Sequence, residues 1–323
     1  MLDVLIVGGG PAGLSCAIAA HKKHLTYRII EKGNIVDAII KFPVNMTFFS
    51  TADQLELADI PFTSAGFRPT RQEVVRYYHN IAAHFNLNVQ SCSKVEQAIR
   101  KNGYFEIKTV RRAETRTIEA KTVILATGFY DNPNLLNIPG ETLPHVSHYY
   151  REAFPFFGQK VVVVGGKNSA VEAALELFRG GADVTILHRR PEIKESVKYW
   201  ILPDILNRLR EGKIKGFFNA QLEQITPDSV KIVLPSGPQK LPADAVFLLT
   251  GYQPDTGLLD SIGIAYHPES LEPVIDTRTN ESNIPGLYLA GSVIAGKNPN
   301  RIFIENSREH GDLIIPDILS KLG

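Results

Sequence analysis

Two glycine-rich turns carry the residues best suited to chemistry: Gly8-Gly9-Gly10-Pro11-Ala12-Gly13 and Gly165-Gly166-Lys167-Asn168-Ser169-Ala170. Each follows a run of apolar β-formers. Glycines at such a junction let the backbone approach a pyrophosphate, whose charge the following helix N-terminus favours. The diagnostic residue after each turn differs. Glu31 stands 31 − 8 = 23 positions beyond the first glycine, and His188-Arg189-Arg190 begins 188 − 165 = 23 positions beyond the second. A carboxylate at that position suits the ribose diol of an adenosine, whereas a basic cluster without a competing acid suits a 2′-phosphate. One chain that holds two different dinucleotides, most simply FAD and NADPH, is a redox enzyme before any substrate is considered.

The elements that must position these turns repeat. Leu2–Val7 reads as a short buried parallel strand, Pro11 to about Lys23 as a helix and Tyr27–Ile30 as a second strand. The same βαβ grammar returns at Lys160–Val164, Asn168 to about Arg179 and Asp183–Leu187. Alternating strands follow each unit: Tyr104–Val110 and Arg116–Ile118 before Val123–Gly128, then Gln224–Ile225 and Val230–Leu234 before Val246–Gly251. Gly286–Gly291 and a helix near Ile302–Ile315 supply the last strand and helix of the first module from the C-terminus. The expected fold class is therefore α/β, with two Rossmann-like nucleotide-binding domains, the second inserted into the first. Residues 1–130 and 252–323 form the expected FAD-binding domain and residues 131–251 the NADPH-binding domain. The crossings near Gly128–Asn132 and Gly251–Asp255 carry Gly and Pro, which suits hinges.

The expected FAD set is Gly8, Gly10, Pro11, Ala12, Gly13, Glu31, Lys32, Thr47, Phe49, Val95, Gly128, Gly291, Ser292 and Ile302. The NADPH set is Gly165, Gly166, Lys167, Asn168, Ser169, Ala170, His188, Arg189, Arg190 and Gly251. Lys167 replaces the middle glycine of its turn and reads equally as a phosphate ligand or a solvated turn residue. The segment Phe42–Ser50 could lay Phe49 and Thr47 against an isoalloxazine, or Phe48 and Phe49 could both be core. A helix starting near Arg301-Ile302 would aim its N-terminal amides at the flavin. His145 and His148, beside Tyr149-Tyr150, fall where substrate could enter, although a lone histidine is more often structural; Trp200 reads as packing. Cys16 reads as a small buried hydrophobe, and Cys92 lacks a close basic neighbour.

Composition narrows the class further. With 35 basic and 34 acidic residues, the chain offers no field for nucleic acid or anionic membrane. No stretch reaches the roughly 18 apolar residues of a membrane span, and no export signal opens the chain, so cytoplasmic is the expectation. Two distant cysteines give no CxxC pair, no disulfide framework and no metal spacing.

A duplicated nucleotide module with these strand ends and a His-Arg-Arg cluster resembles the thioredoxin-reductase-like flavoproteins over the whole chain. Within them the chain is similar to the bacillithiol disulfide reductase (YpdA) family. The segments that carry this resemblance are Thr47–Phe62, Ser147–Gln159, Gly165–Ala170, Tyr199–Pro203 and Phe303–Asn306. The resemblance implies FAD in the first module, NADPH in the second, and reduction of a low-molecular-weight disulfide by a homodimer or homotetramer. Three departures stand out. No cysteine lies between Asn137 and Lys160, where thioredoxin reductases carry CxxC. Ala12 replaces the cysteine that the better-known members place in the first turn, and Ser292 replaces an aspartate after the last glycine. The expected chemistry therefore runs from NADPH to flavin N5 and on to an acceptor, with no catalytic residue of the chain itself. The alternatives are a small redox protein as partner (ferredoxin or flavodoxin reductase), a flavin monooxygenase, or a non-enzymatic NADPH sensor.

Overall fold

The computed structural model describes residues 1–193, 197–298 and 301–322. These form two compact units: Met1–Ile40 with Met46–Asn132 and Tyr252–Gly323, and Lys41–Asn45 with Pro133–Gly251.

The first unit is built on β1 (Leu2–Val7), β2 (Tyr27–Ile30), β3 (Val89–Gln90), β4 (Lys94–Arg100), β5 (Phe105–Arg111) and β6 (Glu114–Leu125). The order is β3-β2-β1-β6-β5-β4. The strand β6 does two jobs. Its last residues, Val123 to Leu125, pair parallel to Leu5–Val7, while its first half runs antiparallel to β5. One 12-residue strand thus replaces the two segments expected at Arg116–Ile118 and Val123–Gly128. Its charged start and apolar end had hidden this continuity, because the first half faces solvent and the second lies in the core.

The second unit contains β7 (Val146–Ser147), β8 (Lys160–Val164), β9 (Asp183–His188), β10 (Lys215–Phe218) and β14 (Ala245–Leu248), in the parallel order β10-β9-β8-β14-β7. The remaining strands, β11 (Gln221–Thr226), β12 (Ser229–Leu234) and β13 (Gly237–Pro242), form an antiparallel meander. Val162, Leu187, Val246 and Leu248 on one face of the parallel sheet bury against Ile225, Val230 and Ile232 of the meander. The other face packs Val161, Val163 and Ile186 against Val171, Ala174 and Leu175 of the Asn168–Arg179 helix. Continuous Val and Ile runs form strands here because both faces are covered.

The C-terminal return belongs to the first unit. The strand β15 (Leu287–Leu289) pairs parallel to Val123–Leu125, on the opposite side of β6 from β1. The expected continuous helix near Ile302–Ile315 is instead two, Ile304–Ser307 and His310–Leu322. The Asn306 side chain stops the first from beginning earlier: its Oδ1 accepts from Phe303 N at 2.9 Å and its Nδ2 donates to Arg301 O at 2.9 Å.

Candidate nucleotide-binding turns

In the first unit β1 ends at Val7, and the Pro11–Lys22 helix begins four residues later with proline in its first turn, where a missing N–H costs nothing. Three of the turn's four glycines, Gly8, Gly10 and Gly13, serve different ends. Gly8 has φ +109°, and an added Cβ would stand 2.4 Å from Ala126 O; at Gly13 it would stand 2.0 Å from Gly8 O. These two positions are closed by the protein's own backbone. Around Gly10 a Cβ would meet nothing within 4 Å, so this position faces open space. It is the geometry that close approach of a pyrophosphate requires.

Glu31, one residue beyond β2, is buried and holds the turn together. Its Oε2 accepts from Gly9 N at 2.7 Å and its Oε1 from Gly33 N at 2.6 Å. Burial raises its pKa, and these two amide donors oppose the rise. Both oxygens retain lone pairs for a ribose diol. Lys32 pairs with Asp131 at 3.0 Å.

The C-terminal return brings Gly291 (φ +74°) against this turn, where an added Cβ would lie 2.8 Å from the Ala12 Cβ. Ser292 is half-buried, and a Cβ on Gly128 (φ +67°) would meet its Oγ at 3.6 Å. His310 was not legible as a site residue, since only the chain's return places it. Gly291 N donates to His310 Nδ1 at 3.0 Å, which requires that nitrogen to be unprotonated. Burial lowers the His310 pKa, opposed by the Glu309 carboxylate, and so favours the neutral ring. Ser15 was likewise missed: its Oγ accepts from Gly311 N at 3.1 Å and donates to Arg308 O at 2.5 Å, fastening the first helix to the last.

The remaining FAD candidates are placed unevenly. The Phe48-Phe49 pair divides, with Phe48 buried and Phe49 57% exposed. Thr47 is exposed and bridges Thr70. Val95 is buried in β4 within the sheet core. Ile302 precedes the short Ile304–Ser307 helix, so no long helix there offers the N-terminal amides that were expected of it.

In the second unit Gly165 has φ +148°, with Leu249 O at 2.6 Å and Ala170 Cβ at 2.7 Å from an added Cβ. Lys167 caps the Asn168–Arg179 helix through its extended backbone and leaves its side chain exposed. Asn168 Oδ1 accepts from Lys198 N at 2.8 Å, whereas Ser169 is exposed. His188 ends β9 with its ring over Gly166, where a Cβ would come within 2.4 Å of the imidazole. Burial, then Arg190 and Arg189, lowers the His188 pKa. The exposed cations of the cluster are therefore Arg189 and Arg190. Gly251 (φ +94°) follows β14.

Several candidates do not join a site. His148 Nε2 lies 3.5 Å from Glu141 Oε1, and that carboxylate also accepts from Leu136 N and Asn137 N. Trp200 is 37% exposed, edge-on to Tyr199, rather than packed in the core. Cys16 is fully buried and burial pushes its thiol up to about 12, while Cys92 is exposed. Among the described residues no group of His, Cys, Asp and Glu could hold a metal ion.

A doubly wound sheet closed by a returning strand, with one turn suited to a diol-bound dinucleotide and another to a 2′-phosphorylated one, defines a two-nucleotide flavoprotein oxidoreductase. The chain belongs to the pyridine nucleotide–disulphide oxidoreductase family, whose model matches residues 5–291. It uses FAD and NADPH. It is 40% identical to bacilliredoxin reductase Bdr of Bacillus subtilis (strain 168), over 98% of this chain and 97% of that protein. The structure superimposes on the bacillithiol disulfide reductase Bdr (YpdA) from Bacillus cereus with a TM-score of 0.97 at 39% identity, covering 99% of each chain. Thioredoxin reductase of Lactococcus lactis, at 22% identity and a TM-score of 0.78, shares the fold, with 99% of this chain and 98% of that one covered. The resemblance to the thioredoxin-reductase-like and bacillithiol disulfide reductase proteins thus holds over the full chain.

Proposed function

We propose that the chain passes electrons from NADPH through FAD to the disulfide of a low-molecular-weight thiol, with no thiol of its own taking part. The observation that carries this reading is the Gly8–Gly13 turn in a chain so similar to named disulfide reductases. Its Gly10 face is open, and Ala12, with Gly291 beside it, occupies the position where a cysteine would stand. Cys16 does not replace that cysteine, because it is buried and its thiol stays protonated at neutral pH. The balanced reaction is NADPH, a proton and one disulfide giving NADP+ and two thiols.

FAD, when bound, would supply the two-electron carrier chemistry between nicotinamide and acceptor. The chain's part is to hold and orient. The amides of Gly10, Ala12 and Gly13 at the start of the Pro11–Lys22 helix would bind the FAD pyrophosphate, Glu31 the adenosine diol, and the Gly291-Ser292 turn the ribityl side. Of the remaining FAD candidates, Lys32, Thr47, Phe49, Gly128 and Ile302 would line the same cofactor, whereas Val95 belongs to the sheet core. Gly165 to Ala170 and Gly251 cradle NADPH, with Arg189 and Arg190 as the fork for its 2′-phosphate. Residues 1–130 with 252–323 and residues 131–251 are the corresponding domains. The enzyme acts in the cytoplasm as a homodimer or homotetramer.

Anaerobic reduction with NADPH, followed by separate reoxidation with bacillithiol disulfide, ferredoxin, quinone and oxygen, tests the acceptor. The disulfide should reoxidise the flavin fastest. If no disulfide exceeds oxygen, the acceptor belongs to another class; a long-lived oxygen adduct would point to a monooxygenase.

A further inference from the structure

The start of the His310–Leu322 helix fastens both walls of the first glycine turn. Its second residue lies against the Pro11–Lys22 helix: Gly311 N donates to Ser15 Oγ at 3.1 Å, and an added Cβ would stand 2.4 Å from Ser15 O. One residue earlier, His310 reaches the chain's return. Gly291 N donates to its Nδ1 at 3.0 Å, and Asn280 Nδ2 lies 3.4 Å from the same nitrogen. Asn280 is buried, and its carbonyl accepts from Leu289 N at 3.0 Å, at the end of β15. Gly291 in turn sits so near the first turn that an added Cβ would come within 2.8 Å of the Ala12 Cβ.

Two N–H donors therefore converge on one ring nitrogen. Gly291 N is the first amide of a short helical turn, Gly291–Ala295, and has no acceptor inside it. The Nδ1 lone pair supplies that acceptor. A proton on Nδ1 would place a third donor against the other two, and Gly291 N would lose its partner. Glu309 favours the charged ring and burial disfavours it. The other charged groups on the surrounding elements are engaged elsewhere. Asp276 pairs with Arg278, Glu281 pairs with Lys321, and Glu305 accepts from Ser50. Arg308 donates to Asp53 O, and Asp312 acts on Cys16. His21 and Lys22 stand in the last turn of the first helix, away from its Ser15 contact.

We propose that His310 is a positioning residue for FAD: its Nδ1 lone pair fixes the Gly291-Ser292 turn against Ala12, and a proton taken up there loosens the turn and releases the cofactor. The inference rests on the reading that FAD lies at the Gly8–Gly13 turn. It goes beyond that reading by making cofactor retention depend on a side chain that acts through Gly291.

The test measures the FAD dissociation constant of the full-length holoenzyme from about pH 8 to about pH 5, which spans histidine titration. Wild-type protein should bind FAD about tenfold more weakly at the acid end, the scale of one lost hydrogen bond. In His310→Asn the Oδ1 takes the place of Nδ1 as an acceptor that does not titrate. Its affinity near pH 8 should stay within about threefold of wild type, and its acid loss should shrink. His310→Phe, an aromatic ring without an acceptor, should bind FAD about tenfold more weakly already at about pH 8. Glu31, whose pKa burial raises, contributes to the acid loss in every variant, so the difference between profiles belongs to His310. If replacing the ring destabilises the fold, Asn280→Asp gives a second reading. A carboxylate facing Nδ1 stabilises the imidazolium and should move FAD release to higher pH. Superimposable profiles for wild type and His310→Asn, wild-type affinity in His310→Phe, or an unmoved profile in Asn280→Asp would overturn the inference. Should Gly10→Ala and His310→Phe both keep FAD, its placement at the turn falls as well. Should His310→Phe alone keep it, the placement stands and only the inference falls.

Discussion

At Gly13 an added Cβ would press on Gly8 O at 2.0 Å, whereas at Gly10 it would meet nothing. The two glycines therefore fail differently when replaced. Gly13→Ala forces backbone against backbone and should destabilise the fold by about 1–3 kcal/mol, the usual cost of overpacking. Gly10→Ala should leave the apoprotein's melting temperature unchanged and weaken FAD, which would show as low flavin content after purification. Equal melting losses for both variants would mean that Gly10 too is closed by protein. In the second turn His188 covers Gly166 while Arg189 and Arg190 are exposed, so Arg189→Ala should weaken NADPH at least about tenfold, the scale of a lost charge-assisted contact, and NADH little. Equal losses in titrations of both nucleotides would remove the 2′-phosphate argument. Cys16 gives a pH prediction. Burial, then the Asp312 carboxylate, raises its thiol from 9.0 to about 12. Between those values the unfolded chain gives up a proton that the folded chain keeps. Its contribution to stability is therefore full below about 9 and is lost as pH rises toward about 12. Urea titrations should show Cys16→Ala with a flatter alkaline decline than the parent protein.

The elements show what the sequence made legible and what it concealed. The Leu2–Val7 strand and the Asn168 start of the second helix were readable because apolar runs meet glycine there, and the Tyr27–Ile30 strand because its apolar run stops at Glu31. Three features were concealed, two because only tertiary partners define them and one, the start of the Ile304–Ser307 helix, by a local side-chain cap. The strand β6 is continuous because its halves have different neighbours, β5 for one and β1 with β15 for the other. The helix at Ile304 starts late because Asn306 turns back on Phe303 and Arg301. His310 reaches Gly291 from 19 residues away, and no local spacing announces that bond. The Thr70 cap has a plainer sequence signature. Thr70 and Glu73 form a capping box on the Arg71–His84 helix, with Thr70 N donating to Glu73 Oε2 at 2.7 Å. Thr70→Ala should cost about 1 kcal/mol, measured by urea denaturation. Because Thr70 also bridges Thr47, a larger loss would show that the cap and the Phe49 segment are stabilised together.

For the molecule as a whole, the two segments that cross between the units pair with each other. Asn134 N donates to Gly251 O at 2.9 Å, Gln253 N to Asn132 O at 2.9 Å, and Thr250 Oγ1 to Asn134 O at 2.8 Å. Tyr130 and Tyr252 lie with ring centroids 4.6 Å apart. A paired ribbon transmits rotation better than two independent linkers, since both crossings must turn as one. Gly128 and Gly251, at positive φ beside the ribbon, are the positions where the backbone can take up the change. Rotation about these crossings is the expectation for a chain whose one flavin, itself able to hold both electrons, serves two half-reactions in turn. The expected outcome is that solution scattering with and without NADP+ gives two different profiles. Gly251→Val should abolish the difference by straining φ +94° and crowding Asn134 Nδ2, which lies 3.1 Å from an added Cβ. That variant should also slow turnover more than it weakens NADPH binding. Identical scattering profiles for the wild-type protein in both states would show that one fixed arrangement serves both half-reactions.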